Sequence, residues 1–111
     1  MDESRDRATF TEADLAVDFV RDNAKEYGRL VGWCKYLDHK KGVIKKQGEL
    51  DSKKTTVAER QAEAETSAEY KELIKEIKSS WQAKATLETL LKAAEMKFEL
   101  YRSSRRGDNF L

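Results

Sequence analysis

A stretch without glycine or proline, from Ala68 to Arg105, limits the possible folds of this chain more than any other feature. Its apolar residues recur at alternating spacings of three and four, the heptad pattern of a helix that packs along one seam. The seam holds Leu73, Ile77, Leu87, Leu91, Ala94, Phe98 and Tyr101, with the polar Ser80 and Lys84 in the same register. The pattern predicts a long helix that must pack against another helix, of this chain or of a second copy.

An earlier segment shows the same kind of pattern and predicts another long helix, over residues 11–47. Thr11 and Asp14 have the spacing of a loose capping box at its start. The helix should continue through Gly28 and Gly32, because its apolar stripe continues on both sides of them. The stripe is formed by Val20, Ala24, Tyr27, Val31, Cys34, Leu37, Lys41 and Ile44.

Between these helices the sequence predicts a loop and a short helix. Residues 48–56 contain turn-forming side chains and only one large apolar residue, Leu50, so we expect a loop there. Thr56 and Glu59 form a capping box that opens a short helix over residues 57–66. Thr66 and Glu69 form a second box, which favours a break before the long helix of residues 67–105.

Two long helices joined in this way can fold back on each other. We therefore predict an all-α protein, an elongated antiparallel helical hairpin or coiled coil with a short middle helix. The helical domain should occupy residues 11–106. Residues 1–10 are expected to form a mobile acidic arm, and residues 107–111 a tail that ends the last helix.

The composition excludes several classes of protein and gives no sign of catalysis. Charged residues make up 39% of the chain, which carries a formal net charge of +1. We expect no membrane segment, because no long uncharged apolar run occurs. Cys34 is the only cysteine and lies on an apolar stripe, which favours a buried structural role. His39 is the only histidine, and no glycine-rich phosphate loop occurs, so we expect no enzyme activity, cofactor, metal site or small-molecule substrate.

Two clusters of basic residues are the candidate nucleic-acid contacts. Lysine and arginine neutralise DNA phosphates, although they also stabilise the C-terminal ends of helices. Trp33 and Tyr36 flank Lys35, and such aromatics can stack on single-stranded bases or cover a partner helix. The candidate cations are Lys40, Lys41, Lys45 and Lys46 in one cluster, and Arg102, Arg105 and Arg106 in the other.

An acidic helix face supplies a different candidate surface. Its carboxylates could occupy the positions that DNA phosphates take on a host nuclease or defence complex. The residues concerned are Glu63, Glu65, Glu69, Glu72 and Glu76.

Over residues 20–105 the chain resembles a family of small helical proteins encoded in tailed phages, near genes for single-strand annealing recombinases, exonucleases and single-strand-binding proteins. The matching motifs are Ala24-Lys25-x-Tyr27, Tyr36-Leu37, Glu59-x-x-Ala62, Ser67-x-x-Tyr70 and Lys97-x-Glu99-x-Tyr101-Arg102-Ser103. The resemblance implies a phage accessory factor for DNA recombination, repair or replication, located in the cytoplasm of the infected bacterial host. It implies no catalytic residues.

Three interpretations follow for the function of the chain. The first is a homo-oligomeric, non-enzymatic accessory protein that binds DNA or a recombination or replication protein. The second is a phage inhibitor that binds a host nuclease or defence complex through the acidic face. The third is a purely structural coiled-coil subunit, which would form oligomers and bind neither DNA nor a host protein.

Overall fold

The computed structural model describes the backbone of residues 9–109 and the side chains of residues 9–105. Within that range the chain forms three helices and no strand: α1 (Phe10–Asp51), α2 (Val57–Thr66) and α3 (Ala68–Asn109). The predicted all-α class with a short middle helix is confirmed. Residues 1–8 of the predicted arm and residues 110–111 of the predicted tail lie outside the described residues.

The ends of the two long helices differ from the predicted positions. α1 continues to Asp51 instead of residue 47, so the loop spans residues 52–56 and not 48–56. α3 continues through Gly107 to Asn109, so part of the predicted tail is helical. Glycine costs a helix about 1 kcal/mol relative to alanine but does not forbid it, and the glycines near these ends were given too much weight.

Thr9, and not Thr11, caps the start of α1. Its Oγ1 atom accepts a hydrogen bond from the backbone N–H of Glu12 at 3.1 Å, and its carbonyl oxygen accepts one from Ala13 at 2.9 Å. Thr9 and Glu12 have the spacing of a full capping box, because glutamate stands three residues after threonine. The box predicted at Thr11 was therefore misplaced by two residues.

The break between α2 and α3 lies at Ser67, whose backbone is extended, with φ −64° and ψ 150°. The Ser67 hydroxyl donates to the carbonyl of Ala64 at 2.9 Å and accepts from the backbone N–H of Tyr70 at 3.2 Å. One side chain therefore satisfies a backbone group at the end of α2 and another at the start of α3.

The chain divides into two compact units, to which both long helices contribute. The terminal unit contains the described residues up to Gly28 and from Ala85 onward, and the central unit spans Arg29–Lys84. In the terminal unit the rings of Phe10 and Tyr101 meet edge to face, with centroids 6.0 Å apart. The start of α1 thus lies beside the end of α3, so the two helices of this unit run antiparallel.

The central unit holds the large buried side chains. Leu30, Cys34 and Leu37 on α1 are buried, as are Ala64 on α2 and Leu73 on α3. Burial of such side chains is the main driving force for packing these helices.

The seam predicted for α3 agrees with the burial pattern. Along α3 every residue of that seam is buried or partly buried, and most residues between them are exposed. This is the burial expected of a strict alternation of three and four.

The stripe predicted for α1 needs a correction at two positions. The inner positions pass through Asn23 and Leu30, whereas Ala24 is exposed and Val31 is only partly buried. The strict alternation from Ala13 and Ala16 onward selects Asn23 and Leu30. The wrong choice came from preferring an apolar alanine to a polar asparagine.

Gly48 is required by the contact between α1 and α2. A Cβ atom added at Gly48 would lie 2.8 Å from the Cβ and 3.1 Å from the Cα of Ala64. By contrast, a Cβ added at Gly28, Gly32 or Gly42 would meet nothing within 4 Å. The sequence offered Gly48 as a helix-ending residue, and the structure shows that it allows two helices to approach closely.

Candidate interaction surfaces

The four lysines of the basic segment do not form one surface. Lys45 binds an acidic side chain of α2, and Lys41 is partly buried at a seam position. Lys40 is exposed and lines a groove with α3, while Lys46 is exposed and pairs with no carboxylate among the described residues. Lys41 and Lys45, four residues apart, lie on one face of α1, whereas Lys40 and Lys46 point to other sides.

Lys45 forms an ion pair with Glu65, which joins α1 to α2. Its Nζ atom lies 2.8 Å from Oε1 of Glu65. The hydrogen bond to Glu65 and the charge of that carboxylate raise the pKa of Lys45 above its ordinary value of 10.5. A lysine engaged in this way is less available to a DNA phosphate.

The acidic face also separates into two groups. Glu63 accepts a hydrogen bond from the hydroxyl of Ser52 at 3.0 Å, and Glu65 binds Lys45. Both therefore hold the α1–α2 connection together. The remaining glutamates, Glu69, Glu72 and Glu76, line one open groove of about 550 Å³ beside Lys40 and Ile44. Lys75 also lines this groove, and its Nζ atom lies 3.4 Å from Oε1 of Glu72.

The arginines near the end of α3 contact side chains of their own helix. Arg102 lies 3.4 Å from a carboxylate oxygen of Glu99. Arg105 donates to the hydroxyl of Tyr101 at 3.0 Å, and its guanidinium carbon lies 5.8 Å from the centre of that ring. The side chain of Arg106 lies outside the described residues. Ion pairs of this exposed kind are weak, so these arginines remain accessible to a ligand.

An exposed aromatic pair lies on α1 in the central unit. Trp33 and Tyr36 stack, with ring centroids 5.3 Å apart and planes inclined by 19°. The ammonium of Lys40 lies 6.0 Å from the centre of the Tyr36 ring. Both rings remain exposed, so this cluster of two aromatics and one cation is open to solvent. We call Trp33, Tyr36 and Lys40 the aromatic cluster.

A third cation–aromatic contact, on α3, was not predicted from the sequence. The Nζ atom of Lys84 lies 4.5 Å from the centre of the Trp81 ring on α3. The spacing of three residues on a helix could have indicated it, since side chains three apart share a face.

The two side chains considered for catalysis in the sequence lie in different environments. His39 is exposed and Cys34 is 1% exposed. Within residues 9–105, no group of three His, Cys, Asp or Glu side chains is placed to hold a metal ion. Nor does any described helix carry an apolar run long enough to cross a bilayer.

No protein-family model, curated protein or solved structure matches this chain.

Proposed function

We propose that this chain is a non-enzymatic accessory protein of phage DNA recombination, repair or replication, and that it acts by contacting another protein. The phage setting rests on the sequence resemblance. The mode of action rests on the surfaces of the central unit. Of the two ligand classes expected for the accessory protein, DNA and protein, the geometry favours protein.

One observation supports a protein ligand over DNA: the lysine cluster of α1 and the glutamates of the acidic helix face lie close together in the central unit. Lys45 binds Glu65, and Lys40 lines a groove whose other charged side chains include Glu69 and Glu76. A DNA phosphate approaching these lysines would meet carboxylates at close range. Since non-specific DNA affinity comes from uncompensated positive charge, this segment is a poor phosphate site.

The aromatic cluster is the proposed contact with the partner protein. Tryptophan and tyrosine, together with a cation, are enriched at the centres of protein interfaces. Here two such rings are stacked on each other and exposed, next to a groove that three glutamates and two lysines line. A partner with an apolar anchor and neighbouring basic residues would complement both features. The annealing recombinase and the single-strand-binding protein implied by the resemblance are the first partners to test.

The test measures binding to those two proteins and to DNA in parallel. Calorimetric titrations would use the purified chain against each protein, and fluorescence anisotropy would follow labelled single- and double-stranded DNA across a salt series. Replacing Trp33 and Tyr36 by alanine should weaken protein binding by about 2 kcal/mol or more, which is roughly a thirtyfold rise in Kd. The matched control is Trp81→Ala, an exposed tryptophan on α3.

Two results would contradict the proposal. One is protein binding that the double replacement leaves unchanged. The other is salt-dependent DNA binding that disappears when the described cations are replaced by glutamine, namely Lys40, Lys41, Lys45, Lys46, Arg102 and Arg105. The second result would restore DNA as the ligand, and the slope against salt would give the number of phosphate contacts.

A second candidate function, inhibition of a host nuclease or defence complex, is supported by the groove that Glu69, Glu72 and Glu76 share. Of the five glutamates considered, these three are the ones without a role in holding α1 to α2. If the groove binds a nuclease, replacing the three by glutamine should abolish inhibition of DNA cleavage. The aromatic replacements, by contrast, should leave that inhibition unchanged and weaken binding to the recombinase or the single-strand-binding protein.

A further inference from the structure

Among the described residues of the terminal unit, only alanines are fully buried, while several large apolar side chains remain exposed. Its buried residues among those described are Ala13, Ala16 and Ala94. Leu15 is 62% exposed and Leu90 is 49% exposed on the same unit. Burial of large apolar side chains stabilises helix pairs far more than burial of alanine. The two helices of this unit therefore leave much of their apolar surface exposed to solvent.

Part of that surface forms one groove along a flank of the helix pair. Leu15 and Phe19 of α1 lie on one side of it, and Leu90 and Ala93 of α3 lie on the other. Its volume is about 300 Å³. Glu12 on α1 and Lys97 on α3 also line it. The groove is thus lined by apolar side chains and by two opposite charges, each on a different helix. We call it the flank groove.

We propose that a second copy of this chain covers the flank groove, so that two terminal units pack as a four-helix arrangement. A two-fold axis parallel to the helices would place α1 of one copy against α3 of the other. Glu12 would then face the partner's Lys97, and Lys97 would face the partner's Glu12. Such self-complementarity is what an isologous interface between identical chains requires.

This inference does not depend on the proposed function, because the aromatic cluster belongs to the central unit. The experiment is sedimentation equilibrium of the purified full chain over a range of concentrations. The expected result is the mass of a dimer. Replacing Leu15 and Leu90 by glutamate should reduce the mass to that of a monomer, while circular dichroism should show unchanged helix content. Met96→Lys, a change at an exposed methionine outside the flank groove, is the matched control and should leave the dimer intact.

A charge-reversal pair tests the two-fold arrangement directly. Glu12→Lys alone and Lys97→Glu alone should each raise the dimer dissociation constant about tenfold or more, because each places like charges across the interface. Mixing the two variants should restore dimers, since both interchain pairs of the heterodimer are then opposite in charge. Any repulsion or attraction within a single chain is unchanged by mixing.

Three outcomes would overturn the proposal. The first is a wild-type chain that sediments as a monomer throughout. The second is a dimer that survives the change at Leu15 and Leu90 or is lost with Met96→Lys, which would place the contact elsewhere. The third is a mixture of the Glu12→Lys and Lys97→Glu variants that dimerises no better than either variant alone.

Discussion

The Nζ atom of Lys45 lies 2.8 Å from Oε1 of Glu65. From the sequence, Lys45 was a candidate contact for DNA phosphate, and Glu65 belonged to the acidic helix face proposed to bind a host nuclease. In the folded chain they form an internal ion pair between α1 and α2. A cluster of like charges in a sequence is therefore weak support for a ligand until the faces of the helices are known.

The Lys45–Glu65 pair predicts a specific dependence of stability on pH. Because the folded chain raises the pKa of Lys45 above 10.5, the pair stabilises the fold below the unfolded pKa. That contribution is lost as pH rises through the raised value. Lys45→Gln should therefore lower the denaturation midpoint at neutral pH, and this difference from wild type should disappear at strongly alkaline pH. Urea denaturation at several pH values measures it.

The control for this prediction is Lys46→Gln. Lys46 is the next residue on α1 but pairs with no carboxylate in the described part of the chain, so its replacement should shift the midpoint little at any pH. Equal effects of the two changes would mean that the ion pair contributes nothing specific.

The glycines of α1 should respond in opposite directions to alanine. Gly48→Ala places a Cβ against Ala64, and overpacking of this kind costs about 1–3 kcal/mol. Gly32→Ala meets nothing within 4 Å and should stabilise the fold by about 0.5–1 kcal/mol through helix propensity. Chemical denaturation of both variants compares the two. A Gly48→Ala variant as stable as Gly32→Ala would show that α1 and α2 do not pack as described.

The cap of α1 can be tested with two neighbouring threonines. Thr9→Ala removes the acceptor for the backbone N–H of Glu12 and should cost about 1 kcal/mol, the usual value for a lost N-cap. Thr11→Ala lies within the first turn and should change the free energy of unfolding by less than about 0.5 kcal/mol. If thermal or urea denaturation shows a larger loss of stability for Thr11→Ala than for Thr9→Ala, then Thr11 caps the helix.

Cys34 should be protected from thiol reagents in the native protein. Its side chain is 1% exposed, so the thiol can react only when the helices of the central unit open locally. Labelling by a soluble disulfide reagent should be roughly a hundredfold slower than in the urea-unfolded chain, which corresponds to a local opening free energy of about 3 kcal/mol. Labelling as fast as in the unfolded chain would indicate that Cys34 is a surface residue.

The sequence predicted those parts of the fold that depend only on the spacing of apolar residues along a helix. The seam of α3 could be read because large apolar residues occupy most of its positions. On α1 the inner position at Asn23 is polar and its neighbour Ala24 is apolar, so hydrophobicity pointed to the wrong residue. An alternation of three and four residues that starts at Ala13 and Ala16 does place Asn23 on the inner face of α1. The sequence alone does not show that the alternation starts there, because this depends on which residues contact the partner helix.

The candidate surfaces were harder to predict than the helices. No local pattern shows which side of α2 turns toward α1, and this orientation decides whether Glu65 is free or bound to Lys45. It depends on the extended backbone at Ser67 and on the close approach at Gly48. The break at Ser67 could be predicted locally, but the close approach at Gly48 is a contact between two helices that no local pattern shows. The stacking of Trp33 on Tyr36, by contrast, follows from their spacing on one helix.

The alternation of three and four along the seam of α3 has a consequence for how the chain can change in length. Deleting one residue would turn every later side chain by about 100° around the helix and move the seam to another face. Deleting seven residues would turn them by only about 20°. Natural length variants of this fold should therefore differ in steps of seven residues, with each loss from one long helix matched by an equal loss from the segment that packs against it.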